Sequence, residues 1–316
     1  MPDTYSTSKR ALAGWIWNCA RTLDFHTVFC PFTGWPSVPV MFKEQGKGVV
    51  TAGLLESYAH LGRALVENSD EFLDAFDADL LLQDNPERAQ RVEGVCNAYN
   101  MAPAHGAWLD NLRANIDRLD GPLKQSMAMA AGLRVIRYLL SFDDATRDVM
   151  PDQDTSGVFQ YYVESMNQKV FDGGEPCEAH MRDAFELVRA VNADAMYFYL
   201  PSAAGYLDLS PEERIMELFV TGCIESELDA RLAGRAAGLG TPAATPEEYA
   251  DKLRGFLAAS AHIPLWFAAF NENAPLDQKR IADIFRECAG GVEVLEQRIA
   301  GPHGGAAREY LIIAQR

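Results

Sequence analysis

The sequence predicts an α/β fold: a Rossmann-like, doubly wound and mostly parallel sheet that ends in an antiparallel hairpin and carries a helical insert. Three observations lead to this. Short apolar runs alternate with helix-spaced segments near both ends of the chain, whereas residues 104–140 show helical spacing almost throughout. The last two strand-like runs, GVEVLEQRIA and REYLIIAQR, flank the turn-forming segment GPHGG. The alternation predicts a doubly wound sheet, and the final pair predicts the hairpin.

The N-terminal part reads as two strands with helices between and after them. LDFHTVFCPF and GKGVVTAG are apolar runs typical of buried parallel strands. VPVMFKEQGK and LLESYAHLGRALVEN have helical spacing. In the second of these, one face collects Leu54, Leu55, Tyr58, Leu61 and Leu65. The chain is therefore predicted to start as βαβα.

The middle of the chain predicts a domain of different character. Residues 104–140 form two amphipathic helices broken at Gly121 and Pro122, and 143–177 reads as loops and short pieces. We therefore divide the chain into an α/β core, residues 1–68 and 176–316, and a mainly helical insert, residues 69–175.

In the second half of the chain, helix-spaced segments again alternate with apolar, strand-like runs. A helix in HMRDAFELVRAV leads into the strand ADAMYFYL, and SPEERIMELFVTGCIESELDARLAGRAAG is helical. After the linker LGTPAATP come a helix over 247–261, the strand IPLWFAAFN and the helix DQKRIADIFREC. These elements complete the predicted sheet.

Composition narrows the function classes. The 316 residues are 48% hydrophobic, enough for a sizeable core, and 28 basic against 45 acidic residues give a formal charge of −17. This charge argues against indiscriminate nucleic-acid binding but leaves a local basic groove open. The six cysteines are scattered, with no histidine at ligand spacing, so reduced thiols and no metal site are expected. With no leader and no membrane-length apolar run, we expect a cytoplasmic protein and no membrane partner.

Several segments follow one another in a characteristic order. They are YSTSKRALAGWI, FCPFTGWPSV, FKEQGKGVVTAGLLESYAHLGRALVEN, WLDNLRANIDRLDGPLKQSMAMAAGLRVI, DAMYFYLPS, FNENAP and the terminal REYLIIAQR. In order and spacing, over nearly its whole length, the sequence resembles the Dam-like class of adenine-N6 DNA methyltransferases. The resemblance implies base flipping, S-adenosylmethionine as methyl donor, and DNA as partner.

The catalytic motif of that class is degenerate here. Where the family has D-P-P-Y after an apolar strand, this chain has Tyr199 for the aspartate, Leu200 and Pro201 for the prolines, and Ser202 for the tyrosine. A phenol, with a pKa of about 10, is a poor substitute for a carboxylate acceptor, and serine has no ring to stack on a flipped base. We expect no methyl transfer by the family's mechanism.

The cofactor motif is degenerate as well. FCPFTGWPSV stands where the family has D-x-F-x-G-x-G-x-V, so Phe32 and Gly34 match and Cys30 replaces the acid. Trp35 and Pro36 replace a small residue and a glycine, which let the family's backbone approach the ligand. Gly53 stands where an acid would hold the ribose hydroxyls. No cofactor is therefore expected.

The resemblance also implies that the insert approaches DNA. Candidate DNA-binding residues are the basic side chains near the N-terminus and on the insert helices, with one aromatic residue after the YFYLP strand: Lys9, Arg10, Arg113, Arg118, Lys124, Arg134 and Tyr206. The insert cations alternate with Asp110, Asp117 and Asp120, so a mixed, solvated helix face is the alternative.

Three functional hypotheses remain open. In the first, a methyltransferase-like pseudoenzyme contacts DNA, or partners a second methyltransferase or a defence protein. In the second, the base-flipping scaffold acts as a DNA glycosylase on a modified base, with Asp194, Asp208 or Glu272 as the carboxylate. In the third, the chain is a divergent but active adenine methyltransferase.

Overall fold

The computed structural model describes residues 4–142, 154–300 and 306–316, with the side chains of residues 4–10, 207, 300 and 306 left out of that description. Within these ranges one mixed sheet of seven strands forms in the order β3-β2-β1-β4-β5-β7-β6. The strands are β1 Thr27–Cys30, β2 Gly48–Ala52, β3 Cys177–His180, β4 Ala195–Tyr199, β5 Leu265–Asn271, β6 Gly291–Ala300 and β7 Ala306–Gln315.

Twelve α-helices accompany the sheet in the described ranges. The first six are α1 Thr4–Ala20, α2 Ser37–Glu44, α3 Glu56–Gly62, α4 Ala75–Leu82, α5 Pro103–Ile116 and α6 Pro122–Leu140. The others are α7 Thr155–Asn167, α8 Ala184–Leu187, α9 Pro211–Thr221, α10 Glu225–Ala233, α11 Pro246–Ala259 and α12 Gln278–Cys288. In the part of the chain that the structure describes, no helix combines the length and apolar character needed to cross a membrane.

The predicted fold class is confirmed. β1 pairs in parallel with β2 and β4, β2 with β3, and β4 with β5. β7 then runs antiparallel between β5 and β6, with Gly291 of β6 opposite Gln315 of β7. The C-terminal run is therefore an inner strand of the sheet, and the predicted hairpin closes it.

Three local predictions differ from the structure. Segment 143–177, expected as loops, contains α7, whose N-terminus is capped by the Asp154 carboxylate accepting from the Ser156 amide. It also contains the start of β3, which has only one buried side chain, Ala179, and so lacks an apolar signature. The helix expected in HMRDAFELVRAV is reduced to α8, because His180 ends β3 and Asp183 caps the helix that follows.

The core of the sheet lies between its central strands and the two helices α11 and α12. Phe198 of β4, Trp266 and Phe270 of β5, Phe256 of α11 and Phe285 of α12 are all buried there. Each of these large aromatic side chains buries a substantial apolar area.

The chain divides into two compact units. The first holds the sheet and comprises residues 1–54, 173–208 and 235–316. The second is helical and comprises residues 55–172 and 209–234, so it includes α3, α9 and α10, which lie outside the insert predicted at 69–175.

Candidate functional site

The strand order places a ligand crevice at one edge of the sheet unit. β1 and β4 are neighbours, with β2 and β3 on one side of the pair and β5, β7 and β6 on the other. In doubly wound sheets, ligands bind at this switch point, outside the carboxyl ends of the strands. The loops after Cys30, Ala52 and Tyr199 therefore border the candidate site.

The loop after β1 begins at a thiol instead of a carboxylate. Cys30 is fully buried, and burial raises the pKa of its thiol, so this position carries no charge at neutral pH. The Thr33 hydroxyl donates to the Cys30 carbonyl at 2.6 Å, and the Thr33 amide donates to the Ala52 carbonyl at 2.8 Å. Phe32, between them, has a left-handed backbone with φ of 55°. The loop is thus tied to the end of β2.

The remaining positions of the loop after β1 continue directly into α2. Gly34 and Trp35 are half-buried, and Pro36 is buried at the residue that precedes the helix. Gly53 is buried after β2, and its amide donates to the His180 carbonyl at 3.1 Å. Gly53 brings no acceptor for ribose hydroxyls.

Tyr206 crosses the crevice. Its side chain comes from the loop after β4, and its hydroxyl lies close to the Leu54 backbone, next to Gly53. Because β1 lies between β2 and β4, a side chain that joins these two loops passes over the carboxyl end of β1. The Tyr206 ring also lies 6.5 Å from that of Phe32, centroid to centroid. Burial raises the pKa of the phenol, which stays neutral.

A glycine segment packs on Tyr206 from outside. A Cβ on Gly240 would lie 2.8 Å from the Tyr206 ring, so only glycine allows this approach. Gly205, at φ of 62°, comes so close to Gly240 that a Cβ would lie 2.3 Å from the Gly240 carbonyl oxygen. The two glycines therefore hold the Tyr206 loop and the segment around 240 together.

Asp183 anchors the same segment. Its carboxylate is 3% exposed and accepts from the Phe185 amide at 2.8 Å and the Ala237 amide at 3.1 Å. Burial raises the pKa of this carboxyl, against the lowering effect of the amides. Sequence reasoning missed Asp183, because only the fold brings residue 237 to it.

The end of β4 differs from the expected base pocket in its hydrogen bonds. The Tyr199 phenol donates to Glu309 Oε2 at 3.1 Å, so a carboxylate from β7 stands beside the tyrosine. The Pro201 carbonyl accepts from the Tyr249 hydroxyl at 2.8 Å, and Ser202 is exposed. One lone pair of the Pro201 carbonyl is therefore already used within the protein.

The three candidate carboxylates do not gather at this edge. Asp194 precedes β4, at the opposite edge from Tyr199, and accepts from the His26 amide, the Thr27 amide and the Thr27 hydroxyl, each at 2.9 Å. Asp208 is exposed. Glu272 follows β5 at the edge where Tyr199 lies, but it is exposed and 4.0 Å from the Arg308 guanidinium. Asp194 thus joins the starts of two strands.

The insert cations are engaged in the helical unit. Arg113 donates to the Val220 carbonyl at 3.0 Å and pairs with Asp117 at 2.6 Å, and Lys124 pairs with Asp77 at 2.7 Å. Arg118 is exposed and donates to the side-chain carbonyls of Asn115 and Gln83.

The structure also places the four other residues proposed to contact DNA. Arg134 is half-buried on α6. Lys9 and Arg10 belong to α1, and their side chains lie outside those described. Tyr206 belongs to the sheet unit, where its half-buried side chain packs near Phe32, and its role in DNA contact stays a prediction. Its neighbours Gly205 and Gly240, invisible as a pair in the sequence, explain this position.

Comparison with known proteins supports a methyltransferase-like relationship. No protein-family model matches the chain. The chain is 25% identical over 247 residues to the Type II methyltransferase M2.HphI of Haemophilus parahaemolyticus, an alignment that covers 71% of this chain and 73% of the relative. Together with the sheet order, this likeness makes the chain methyltransferase-like in fold.

Proposed function

We propose that the protein interacts with DNA through an adenine-N6-methyltransferase-like scaffold and does not transfer methyl groups. The likeness to a Type II methyltransferase supports DNA as the partner. The observation that carries the proposed loss of methyl transfer is the position of Tyr206, whose ring lies 6.5 Å from that of Phe32 in the loop after β1 and packs against Gly240.

The residues of the crevice do not fit S-adenosylmethionine. The two acids that would orient its polar end and its ribose are a buried neutral thiol, Cys30, and a glycine, Gly53. The volume over β1 holds the Tyr206 ring, with Gly240 in contact on its outer side. A bound cofactor would have to displace Tyr206 and would then lack both acceptors.

The hydrogen-bonding groups at the end of β4 do not suit a flipped adenine. An adenine amino group is a hydrogen-bond donor and needs acceptors. At the end of β4 the Tyr199 phenol is itself a donor, to Glu309, and the Pro201 carbonyl already accepts from Tyr249. This pattern argues against the active methyltransferase, and the separation of Asp194, Asp208 and Glu272 argues against the glycosylase.

DNA contact is assigned to the helical unit and, within it, first to Arg118. In the described part of the chain no carboxylate lies within ion-pair distance of Arg118, whereas Arg113 and Lys124 each have one. An unneutralised, exposed guanidinium retains its attraction for phosphate.

The test combines three measurements on the purified chain. Titration calorimetry with S-adenosylmethionine should give no saturable heat. Fluorescence anisotropy should show binding to duplex DNA that weakens as salt is raised. Mass spectrometry of plain, mismatched and modified DNA after incubation should show neither methylated adenine nor free base.

Each outcome has a distinct meaning. Methylated adenine would identify an active methyltransferase, and a released base would identify a glycosylase; either result overturns the proposal. Absence of DNA binding would also overturn it and would leave a protein partner, such as a second methyltransferase or a defence protein. Tyr206→Ala is the informative variant: the lost side chain should open the crevice without restoring tight cofactor binding, because the acids remain absent.

A further inference from the structure

The strand β6 forms one edge of the sheet in the sheet unit. In the described ranges it pairs with β7 on one side and with no strand on the other. It is ten residues long, and most of its side chains are exposed or half-buried. A long edge strand carries a row of backbone donors and acceptors that can pair with another strand.

The direction of these backbone groups follows from β7. The Glu272 amide donates to the Arg308 carbonyl, and the Arg316 amide donates to the Pro264 carbonyl, so even-numbered residues of β7 bond toward β5. Backbone groups alternate along a strand, so the odd-numbered residues of β7 bond toward β6, where their opposite residues are also odd-numbered. The even-numbered residues of β6, including Val294, Glu296 and Arg298, therefore direct their amides and carbonyls away from β7.

Within one copy the charges on this edge are only partly matched, since Glu296 lies 4.0 Å from the Arg308 guanidinium. Arg298 lies directly opposite Arg308 on β7, an unfavourable cross-strand pair, and within the described residues no carboxylate lies at ion-pair distance from Arg298. Glu296, two residues before it, has a side chain that is 47% exposed.

We propose that β6 pairs antiparallel with β6 of a second copy of this chain, with Glu296 of each copy opposite Arg298 of the other. Outward-directed residues must face each other, so registers change in steps of two residues along the partner. In the chosen register Leu295 also meets Ile299, and Gln297 meets its own copy at the twofold axis. The neighbouring registers put Glu296 against Glu296 or Arg298 against Arg298, which is repulsive. The result is an isologous dimer with one continuous sheet.

The test is the oligomeric state of the full chain, by analytical ultracentrifugation over a dilution series. The wild type should be a dimer that dissociates on dilution. Physiological ionic strength is required, because a charge of −17 per copy is otherwise poorly screened. Arg298→Glu and Glu296→Arg should each weaken the dimer by about tenfold or more, since each converts two attractive pairs into two repulsive ones.

A mixture of the two edge variants tests the proposed register, in which Glu296 of one copy faces Arg298 of the other. The Arg298→Glu chain has two acids on the edge and the Glu296→Arg chain has two bases, so together they should form a heterodimer although neither self-associates. Arg286→Glu on α12 makes the same charge change away from the edge and should leave the dimer intact. Circular dichroism establishes that each variant is folded. A monomeric wild type at every concentration, or a dimer unaffected by either edge variant, overturns the proposal.

Discussion

Phe32 and Tyr206 lie ring against ring over the carboxyl end of β1, with centroids 6.5 Å apart. The Phe32 ring also meets Phe256 at 5.0 Å and Phe198 at 6.3 Å. These contacts hold Phe32 in the left-handed backbone region, where a residue with a Cβ is strained by about 1–2 kcal/mol. Ring packing therefore outweighs backbone strain at this position.

The competition between ring packing and backbone strain at Phe32 predicts that, of two substitutions there, glycine gives the more stable protein. Phe32→Ala should destabilise the fold by about 1–3 kcal/mol, below the cost for a fully buried ring because Phe32 is half-buried. Phe32→Gly loses the same ring but removes the strain at φ of 55°, so it should be more stable than the alanine variant by about 1 kcal/mol. Urea denaturation of both variants measures this order. An alanine variant more stable than the glycine variant would show that the left-handed conformation is absent.

Asp194 predicts a pH dependence of stability. The hydrogen bond from the His26 amide, and after it those from Thr27, lower the pKa of this carboxyl against the effect of burial. A folded-state pKa below the unfolded one stabilises the fold above the unfolded pKa, and this contribution is lost as pH falls through the folded pKa. Asp194→Asn should cost about 1–3 kcal/mol at neutral pH. The deficit should shrink below about pH 4.

The control for Asp194 is Asp251→Asn, at a carboxylate whose side chain is 78% exposed. That variant should change the free energy of unfolding by less than about 0.5 kcal/mol. Denaturant titrations of all three proteins at several pH values provide the comparison. An Asp194→Asn deficit that stays constant down to low pH would contradict the assigned role.

Two helix glycines predict opposite responses to alanine. A Cβ on Gly132, within α6, would lie 2.8 Å from the Phe219 ring, whereas nothing lies within 4 Å of a Cβ on Gly255, within α11. Gly255→Ala should stabilise the fold by about 0.5–1 kcal/mol through helix propensity. Gly132→Ala should lose about 1–3 kcal/mol through overpacking, more than propensity returns. Thermal unfolding distinguishes them, and equal signs would disprove the packing of α6 against α9.

The two insert cations Arg118 and Lys124 predict different DNA effects. Arg118 is exposed and held by amide oxygens, whereas Lys124 is neutralised by Asp77 at 2.7 Å. Arg118→Ala should weaken DNA binding across sequences and reduce the slope of log affinity against log salt by about 1. Lys124→Ala should reduce that slope less. Anisotropy titrations at several salt concentrations measure both slopes, and the reverse order would move the DNA contact away from Arg118.

Most of the sheet was predictable because parallel strands are buried on both faces and therefore appear as continuous apolar runs. TVFC, AMYFY and LWFAAFN show this pattern. β3 was not predictable, because an edge strand such as CEAH needs few apolar residues. α7 was hidden by the Asp and Gly residues around it, although its buried Val158, Phe159 and Val163 lie on one helix face.

The site was predictable only in part. The positions of the motif residues at the ends of β1, β2 and β4 followed from local sequence. Asp194 lies at the opposite edge of the sheet, because it precedes a parallel strand. The position of Glu309 was also predictable, because the predicted antiparallel strand begins beside the end of β5. The path of the Tyr206 side chain was not predictable, because it depends on the contact between Gly205 and Gly240, which only the fold creates.

The crossing of Tyr206 over β1 bears on how this lineage could change. Cys30→Asp and Gly53→Asp would add acids, as partners for a cofactor, to a crevice that the Tyr206 side chain already occupies. Removing Tyr206 alone would open the crevice without those partners. If the proposed function is correct, neither kind of change gives methyl transfer by itself. Selection for methyl transfer would therefore favour neither change alone. The packing of the Tyr206 loop would therefore make a gain of methyl transfer by one substitution difficult.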